Sequence, residues 1–151
     1  MERIVVDTNV LVSALLGGGG ASRAVLRLCL QNRCQPLMGE KLFYEYCDVI
    51  GRPLVSRSPL IRSEREELLE AFLSGCSWVS VSFLWRPNLS DEGDNHVVEL
   101  AVAGMADTIV TNNERDFVRG ELRFDALRVE SPATFLGRWR KQYGHDDDSN
   151  S

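Results

Sequence analysis

The chain has 151 residues, 22 of them acidic and 17 basic, with a formal net charge of −5. That length suits one domain able to fold without staples, and a hydrophobic content of 44% excludes a disordered chain. The acidic balance excludes a basic blanket laid over nucleic acid, but an acid excess can be partly cancelled by bound cations.

Arg3 to Val6 reads as a short, β-branched, fully buried strand ended by polar residues. Asn9 to Leu16 predicts a short helix with Val10, Leu11, Ala14 and Leu15 on one face, broken by Gly17 to Gly20. Ala21 to Gln31 predicts a second helix, in which Val25, Leu26, Leu28, Cys29 and Leu30 alternate with arginines. Gln35 to Met38 is a short strand. Glu40 to Gly51 is a third helix with a stripe of Leu42, Phe43, Tyr46, Val49 and Ile50, ended by Arg52-Pro53. Ser63-Glu64-Arg65-Glu66 reads as a capping box ahead of Leu68, Leu69 and Phe72. Trp78 to Phe83 predicts a strand. Asp94 to Met105 predicts a helix whose Val98, Ala101, Val102 and Met105 face inward. Thr108 to Thr111 and Leu127 to Val129 are further strands, and Ser131-Pro132 starts the last helix with a serine cap and a first-turn proline.

Residues 1–143 form one expected domain, and the polar, acidic stretch 144–151 is an expected disordered tail. Alternating strands and helices imply an α/β three-layer sandwich with a central, mainly parallel sheet flanked by helices. The four cysteines, Cys29, Cys34, Cys47 and Cys76, contain no CxxC pair, and Cys29 and Cys47 fall on helices where small thiols are commonly buried. No signal peptide is visible and no apolar run approaches the roughly 20 residues that span a bilayer. The expectation is a cytoplasmic protein with reduced thiols and no membrane partner.

The candidate site is a set of acids far apart in sequence: Asp7, Glu45, Asp94 and Asp116. In a parallel α/β sheet, sites form beyond the carboxyl ends of strands, and Asp7 and the stretch from Thr111 to Asp116 both lie there. Gathered carboxylates repel one another unless a cation neutralises them, and an oxygen-rich, sulfur-free set suits Mg²⁺ or Mn²⁺. Each acid also has a plainer reading. Asp7 is a good helix N-cap. Glu45 borders the apolar stripe beside Leu42 and Val49, where an arginine partner would satisfy it. Asp91 and Asp94 suit the first turn of a helix, where the dipole favours acids. Asp116 fits a polar loop. Thr8, Asn9, Thr111 and Asn113 are candidates for hydrogen bonds that orient the carboxylates, with ordinary capping as the competing role for Thr8 and Thr111.

At these residues the chain resembles the PIN-domain family of metal-dependent ribonucleases, nearly end to end from Ile4 to about Leu136. Val5-Val6-Asp7-Thr8-Asn9-Val10-Leu11-Val12-Ser13 is similar to the family's first motif, and Leu42-Phe43-Tyr44-Glu45-Tyr46 carries the second acid. Asp91-Glu92-Gly93-Asp94-Asn95, followed by Glu99-Leu100-Ala101, resembles the third. The run from Ala106 to Phe117 resembles the fourth, and Ser131 to Leu136 the closing segment of the branch that holds VapC-like toxins of bacterial toxin–antitoxin pairs. One departure stands out: many relatives carry Asp where this chain has Asn113, so Asp116 is the remaining acid of the fourth motif.

The resemblance implies Mg²⁺- or Mn²⁺-dependent cleavage of RNA at metal-holding carboxylates Asp7, Glu45, Asp94 and Asp116, leaving 5′-phosphate and 3′-hydroxyl ends. It also implies a cognate antitoxin protein and a homodimer, with the helix face Glu66–Leu73 as one surface. Arg52, Arg57, Arg62, Arg115 and Arg119 are candidate phosphate contacts, against solvated salt-bridging roles. Trp85 beside Arg86 is a candidate base-stacking residue against a core role. The four glycines from Gly17 are followed by no Gly-Lys-Ser/Thr, which sets aside a phosphate loop. Two histidines, His96 and His145, without paired cysteines set aside a zinc site. The rival from another class is a PIN-like module, weak or inactive in catalysis, that binds RNA or protein without cutting.

Overall fold

The computed structural model describes residues 1–17, 20–81, 95–118 and 126–144. Strand β1 (Arg3–Val6) is followed by helices α1 (Thr8–Leu16) and α2 (Gly20–Leu30), strand β2 (Gln35–Met38), helix α3 (Glu40–Ile50) and a 3₁₀ turn (Pro53–Arg57). Helix α4 (Arg62–Ser74) leads to β3 (Ser77–Trp78). Beyond it come α5 (Asn95–Ala103), β4 (Thr108–Val110), α6 (Glu114–Val118), β5 (Arg128–Glu130) and α7 (Pro132–Tyr143).

Among the described residues the strands form one five-stranded sheet in the order β3-β2-β1-β4-β5, and every pairing is parallel. Ile4, Val5 and Val6 stand opposite Thr108, Ile109 and Val110. Parallel strands need crossover helices, and right-handed crossovers carry the chain to one face for β1-β2-β3 and to the other for β3-β4-β5. The result is an α/β sandwich, and the central strands are apolar on both faces for that reason: Ile4, Val5, Val6, Leu37, Met38, Ile109 and Val110 are all buried. Leu11, Leu15, Val25, Leu42, Tyr46, Leu100 and Phe135 bring the helices into the same core.

The chain order reverses between β1 and β4: β1 sends its connection toward β2, while β4 arrives on its other side. Such a reversal opens a crevice at the carboxyl ends of the two strands, and it is there that Asp7 and Thr111 emerge. Arg138 of α7 joins two buried acids, Glu2 before the amino end of β1 (2.5 Å) and Glu130 at the carboxyl end of β5 (2.9 Å). Thr108 Oγ1 donates to Glu2 (2.7 Å). This charged network ties the last helix to β1, β4 and β5.

Several local expectations are corrected. Helix α4 begins two residues early, at Arg62, because Glu64 accepts from the Ile61 backbone N–H (3.0 Å). Ser63 is therefore inside the helix, and Glu66 pairs with Arg62 (3.0 Å). The strand expected from Trp78 to Phe83 is Ser77–Trp78 instead. Its partner β2 ends at Met38, so pairing closes with Val79 N–H on the Met38 carbonyl (2.9 Å); Ser82 and Phe83 lie outside the described residues.

Helix α5 stops at Ala103, and Met105 is 79% exposed rather than inward. The cause is a Schellman turn: Ala106 N–H bonds the Ala101 carbonyl (2.8 Å) and Met105 N–H the Val102 carbonyl (3.2 Å). Met105 sits at φ 56°. The preceding Gly104 is needed for close approach, since a Cβ there would lie 2.7 Å from Leu37 Cδ1. Val102, also expected inward, borders solvent. The stretch after β4, read as a loop, contains α6. Cys29 and Cys34 are buried, whereas Cys47 is exposed. Burial pushes the Cys34 and Cys76 thiols up to about 12. The tail, residues 145–151, lies outside the described residues.

Candidate functional site

Asp7 is buried at the end of β1. Its backbone N–H continues the sheet onto the Val110 carbonyl (3.0 Å), and its Oδ1 accepts from Thr8 N–H (2.8 Å) at the start of α1. The capping role expected of Asp7 is therefore met by this side chain. Its other oxygen, Oδ2, accepts from the Thr111 hydroxyl (2.9 Å) and the Asn9 amide (3.4 Å). All of these donors are neutral. Burial raises the Asp7 carboxyl above its ordinary range; the Thr111 and Thr8 bonds oppose burial, and the charge of Glu45 adds to it.

The loops after β1 and β4 are laced together. The Thr111 hydroxyl also accepts from Asn113 N–H (3.0 Å) and from Asn9 Nδ2 (3.2 Å). Asn9 Oδ1 in turn accepts from Asn112 N–H (3.0 Å). Asn113 takes part only through its backbone among these bonds, and its side chain is exposed.

Glu45 approaches from α3. The Thr8 hydroxyl bonds its Oε1, and His96 Nε2 lies 2.9 Å from its Oε2. Burial pushes the Glu45 carboxyl up, but the His96 and Thr8 hydrogen bonds outweigh it and hold the group below its ordinary range. The next residue, Tyr46, anchors α3 from beneath: its buried hydroxyl donates to the Val6 carbonyl (2.5 Å).

Asp7, Thr8, Asn9, Glu45 and Thr111 thus come together in one hydrogen-bonded cluster. Asp91 and Asp94 lie outside the described residues, as does the side chain of Asp116. Among the described residues no group of three or more His, Cys, Asp or Glu could hold a metal ion. Of the candidate phosphate contacts, Arg52 pairs with Asp48 (2.6 Å) and Arg62 with Glu66 (3.0 Å). Arg57 and Arg115 are exposed, and Trp85, Arg86 and Arg119 lie outside the described residues. The sequence offers His96 only as a zinc ligand. The readable signal was a histidine one turn before Leu100 on a helix opening among acids.

A cleft of about 710 Å³ adjoins this cluster. The first turn of α3, the segment after β3 and the His96 face of α5 line it. Phe43 stands between Trp78 and Tyr44, with ring centroids 5.5 and 5.7 Å away.

The family model of the PIN domain matches residues 3–115. The chain belongs to the PIN-domain family. PIN domains are in general nucleases that use divalent cations. A chain in the crystal structure of VapBC2 from Rickettsia felis bound to a DNA fragment from their promoter shares the fold with a TM-score of 0.54 and 19% identity. The match covers 85% of this PIN domain chain and 98% of that one. No curated protein matches.

Proposed function

We propose that this PIN domain is an endoribonuclease dependent on Mg²⁺ or Mn²⁺ and the toxin of a toxin–antitoxin pair, acting in the cytoplasm. The observation that carries the reading is Asp7: a carboxylate buried at the β1/β4 reversal, bonded to neutral donors and facing a second acid, Glu45. Such a pair gains most from a cation, and its all-oxygen chemistry fits a hard one. Asp7 and Glu45 would hold the ion, with Asp94 and Asp116 as the further carboxylates that the family motifs assign. When bound, the ion supplies Lewis acidity toward a phosphodiester oxygen and acidifies water near neutral pH.

The chain's own residues supply orientation. Thr8 links the two acids, its N–H on Asp7 and its hydroxyl on Glu45. Thr111 and Asn9 fix the rotation of the Asp7 carboxylate. Asp94 or Asp116 would take the proton of the attacking water. With Arg52 and Arg62 engaged by acids, grip on RNA rests on local contacts rather than on overall charge.

Purified protein with Mn²⁺ is expected to cut single-stranded RNA, leaving 5′-phosphate and 3′-hydroxyl ends, and Asp7→Asn to abolish cutting. RNA binding without cleavage by the wild type would establish the other reading, a PIN-like binding module, which the neutral Asn113 favours. The match to a VapBC2 complex supports an antitoxin protein as partner, tested by co-purification with the product of the adjacent reading frame. The homodimer is better seated on the exposed Tyr44 and Trp78 than on α4, whose outward residues include Glu66, Glu67 and Glu70. Residues 1–143 would be the catalytic unit and 144–151 a tail dispensable for activity.

A further inference from the structure

We infer that His96 is a positioning residue that holds the Glu45 carboxylate in the orientation it needs beside Asp7; this rests on the reading of Asp7 and Glu45 as cation-holding acids. Glu45 has three rotatable side-chain bonds and a side chain 36% exposed, so burial alone does not stop it from swinging into water. One hydrogen bond would leave the carboxylate free to pivot. Two bonds on opposite oxygens, from separate elements, fix its plane: Thr8 of α1 holds Oε1 and His96 of α5 holds Oε2 at 2.9 Å. Thr8 is itself tied to Asp7 through its N–H (2.8 Å), so the clamp sets the two acids relative to each other.

The His96 ring is committed to this contact. Its side chain is only 13% exposed, and its buried Nδ1 has no hydrogen-bond partner among the described residues. A buried polar atom left unpaired is unfavourable and asks for a reason. The one hydrogen bond described for the ring is the bond to Glu45. A carboxylate only accepts, so Nε2 carries the proton. Each carboxylate oxygen offers about two lone-pair directions, so the clamp leaves one on each oxygen open to a cation. Removal of such outer partners typically weakens metal binding by about 10–100-fold.

The experiment is Mn²⁺ titration by calorimetry of wild type, Glu45→Gln, His96→Ala and His96→Gln, joined to ¹⁵N and ¹³C NMR of the metal-free protein. His96→Ala is expected to weaken Mn²⁺ binding about 10–100-fold. His96→Gln, whose amide can donate to the same oxygen, is expected to recover most of it. Without metal, His96 Nε2 is expected to be protonated, and the Glu45 carboxyl resonance to move in His96→Ala more than in His96→Gln. Wild-type affinity in His96→Ala, with Glu45→Gln impaired, would overturn the role of His96 and leave the site reading intact. Equal Mn²⁺ binding by wild type and Glu45→Gln would overturn the site reading. In that case the NMR still decides the clamp: an Nε2 without a proton, or a Glu45 resonance indifferent to His96, refutes it.

Discussion

Tyr46→Phe isolates a single hydroxyl. Tyr46 follows Glu45 on α3, and its hydroxyl donates to the carbonyl of Val6, the residue before Asp7, at 2.5 Å. This bond therefore joins the neighbours of the two acids. The ring is fully buried and stacks on Phe72 with centroids 5.9 Å apart and planes 26° off parallel. Phenylalanine preserves the ring, its volume and that stack, so the loss is one buried hydrogen bond and a carbonyl left without this donor, worth about 1–3 kcal/mol. For a chain of 151 residues, each kcal/mol moves the thermal midpoint by about 2–4 °C, so a fall of about 2–12 °C is expected. Tyr44→Phe is the internal control: its side chain is 61% exposed, and the change should stay within about 0.5 kcal/mol. Circular dichroism melts of the three proteins decide the matter, and Mn²⁺ titration of the same samples tests whether α3 has shifted. A Tyr46→Phe midpoint equal to that of Tyr44→Phe would refute the argument that this hydroxyl locks α3 to β1.

The raised Asp7 carboxyl has a definite sign in a pH series. Its stabilising, protonated form is fully present below its ordinary 3.8 and is lost as pH rises through the folded value. Asp7→Asn should therefore gain stability relative to wild type as pH rises from the acid side, and a variant that instead loses stability relative to wild type over that range would contradict the burial argument. Added Mn²⁺ should stabilise the wild type by about 2.7 kcal/mol at a hundred times its dissociation constant and leave Asp7→Asn unmoved; equal shifts in both would show binding elsewhere. Arg138→Met leaves the buried Glu2 and Glu130 carboxylates without their shared guanidinium. Denaturant unfolding should show a loss of about 3–5 kcal/mol, and a loss below about 1 kcal/mol would mean that the network is not a buried ion cluster. Trp78→Glu should convert a dimer to monomer in sedimentation if the aromatic face is the self-association surface, whereas a dimer indifferent to it rules that face out.

Helix and strand positions were legible wherever a short apolar run had a period and a punctuating residue, as at Arg3–Val6, at Gln35–Met38 and after Ser131. Legibility failed where local chemistry had two equivalent solutions. Both Ile61 with Glu64 and Ser63 with Glu66 satisfy the spacing of a cap, and only the packed turn selects the first. Met105 occupies a left-handed position that glycine or asparagine usually marks, so the helical pattern ran on past its end. The place of Glu45 at the rim of the buried stripe was legible from helical spacing. The hydroxyl of Tyr46 was not, because membership of a stripe says nothing of where a polar tip will land.

The deeper limit is strand order. Alternating strands and helices announce a parallel sheet but not which strands are neighbours, and residues past the ends of β1 and β4 meet only if those strands are adjacent. The order β3-β2-β1-β4-β5 makes them so, and the bond from Thr111 to Asp7 then spans 104 positions of sequence. Neither residue is unusual by itself: an aspartate after a strand caps a helix, and a threonine after a strand caps a turn. Adjacency converts them into a buried carboxylate with a fixed rotamer. His96 extends the same logic, since its partner lies 51 positions away on another helix. The chemistry of this fold therefore lies in pairings that topology creates, and substitutions that leave composition untouched but break one pairing are the ones that should cost the most.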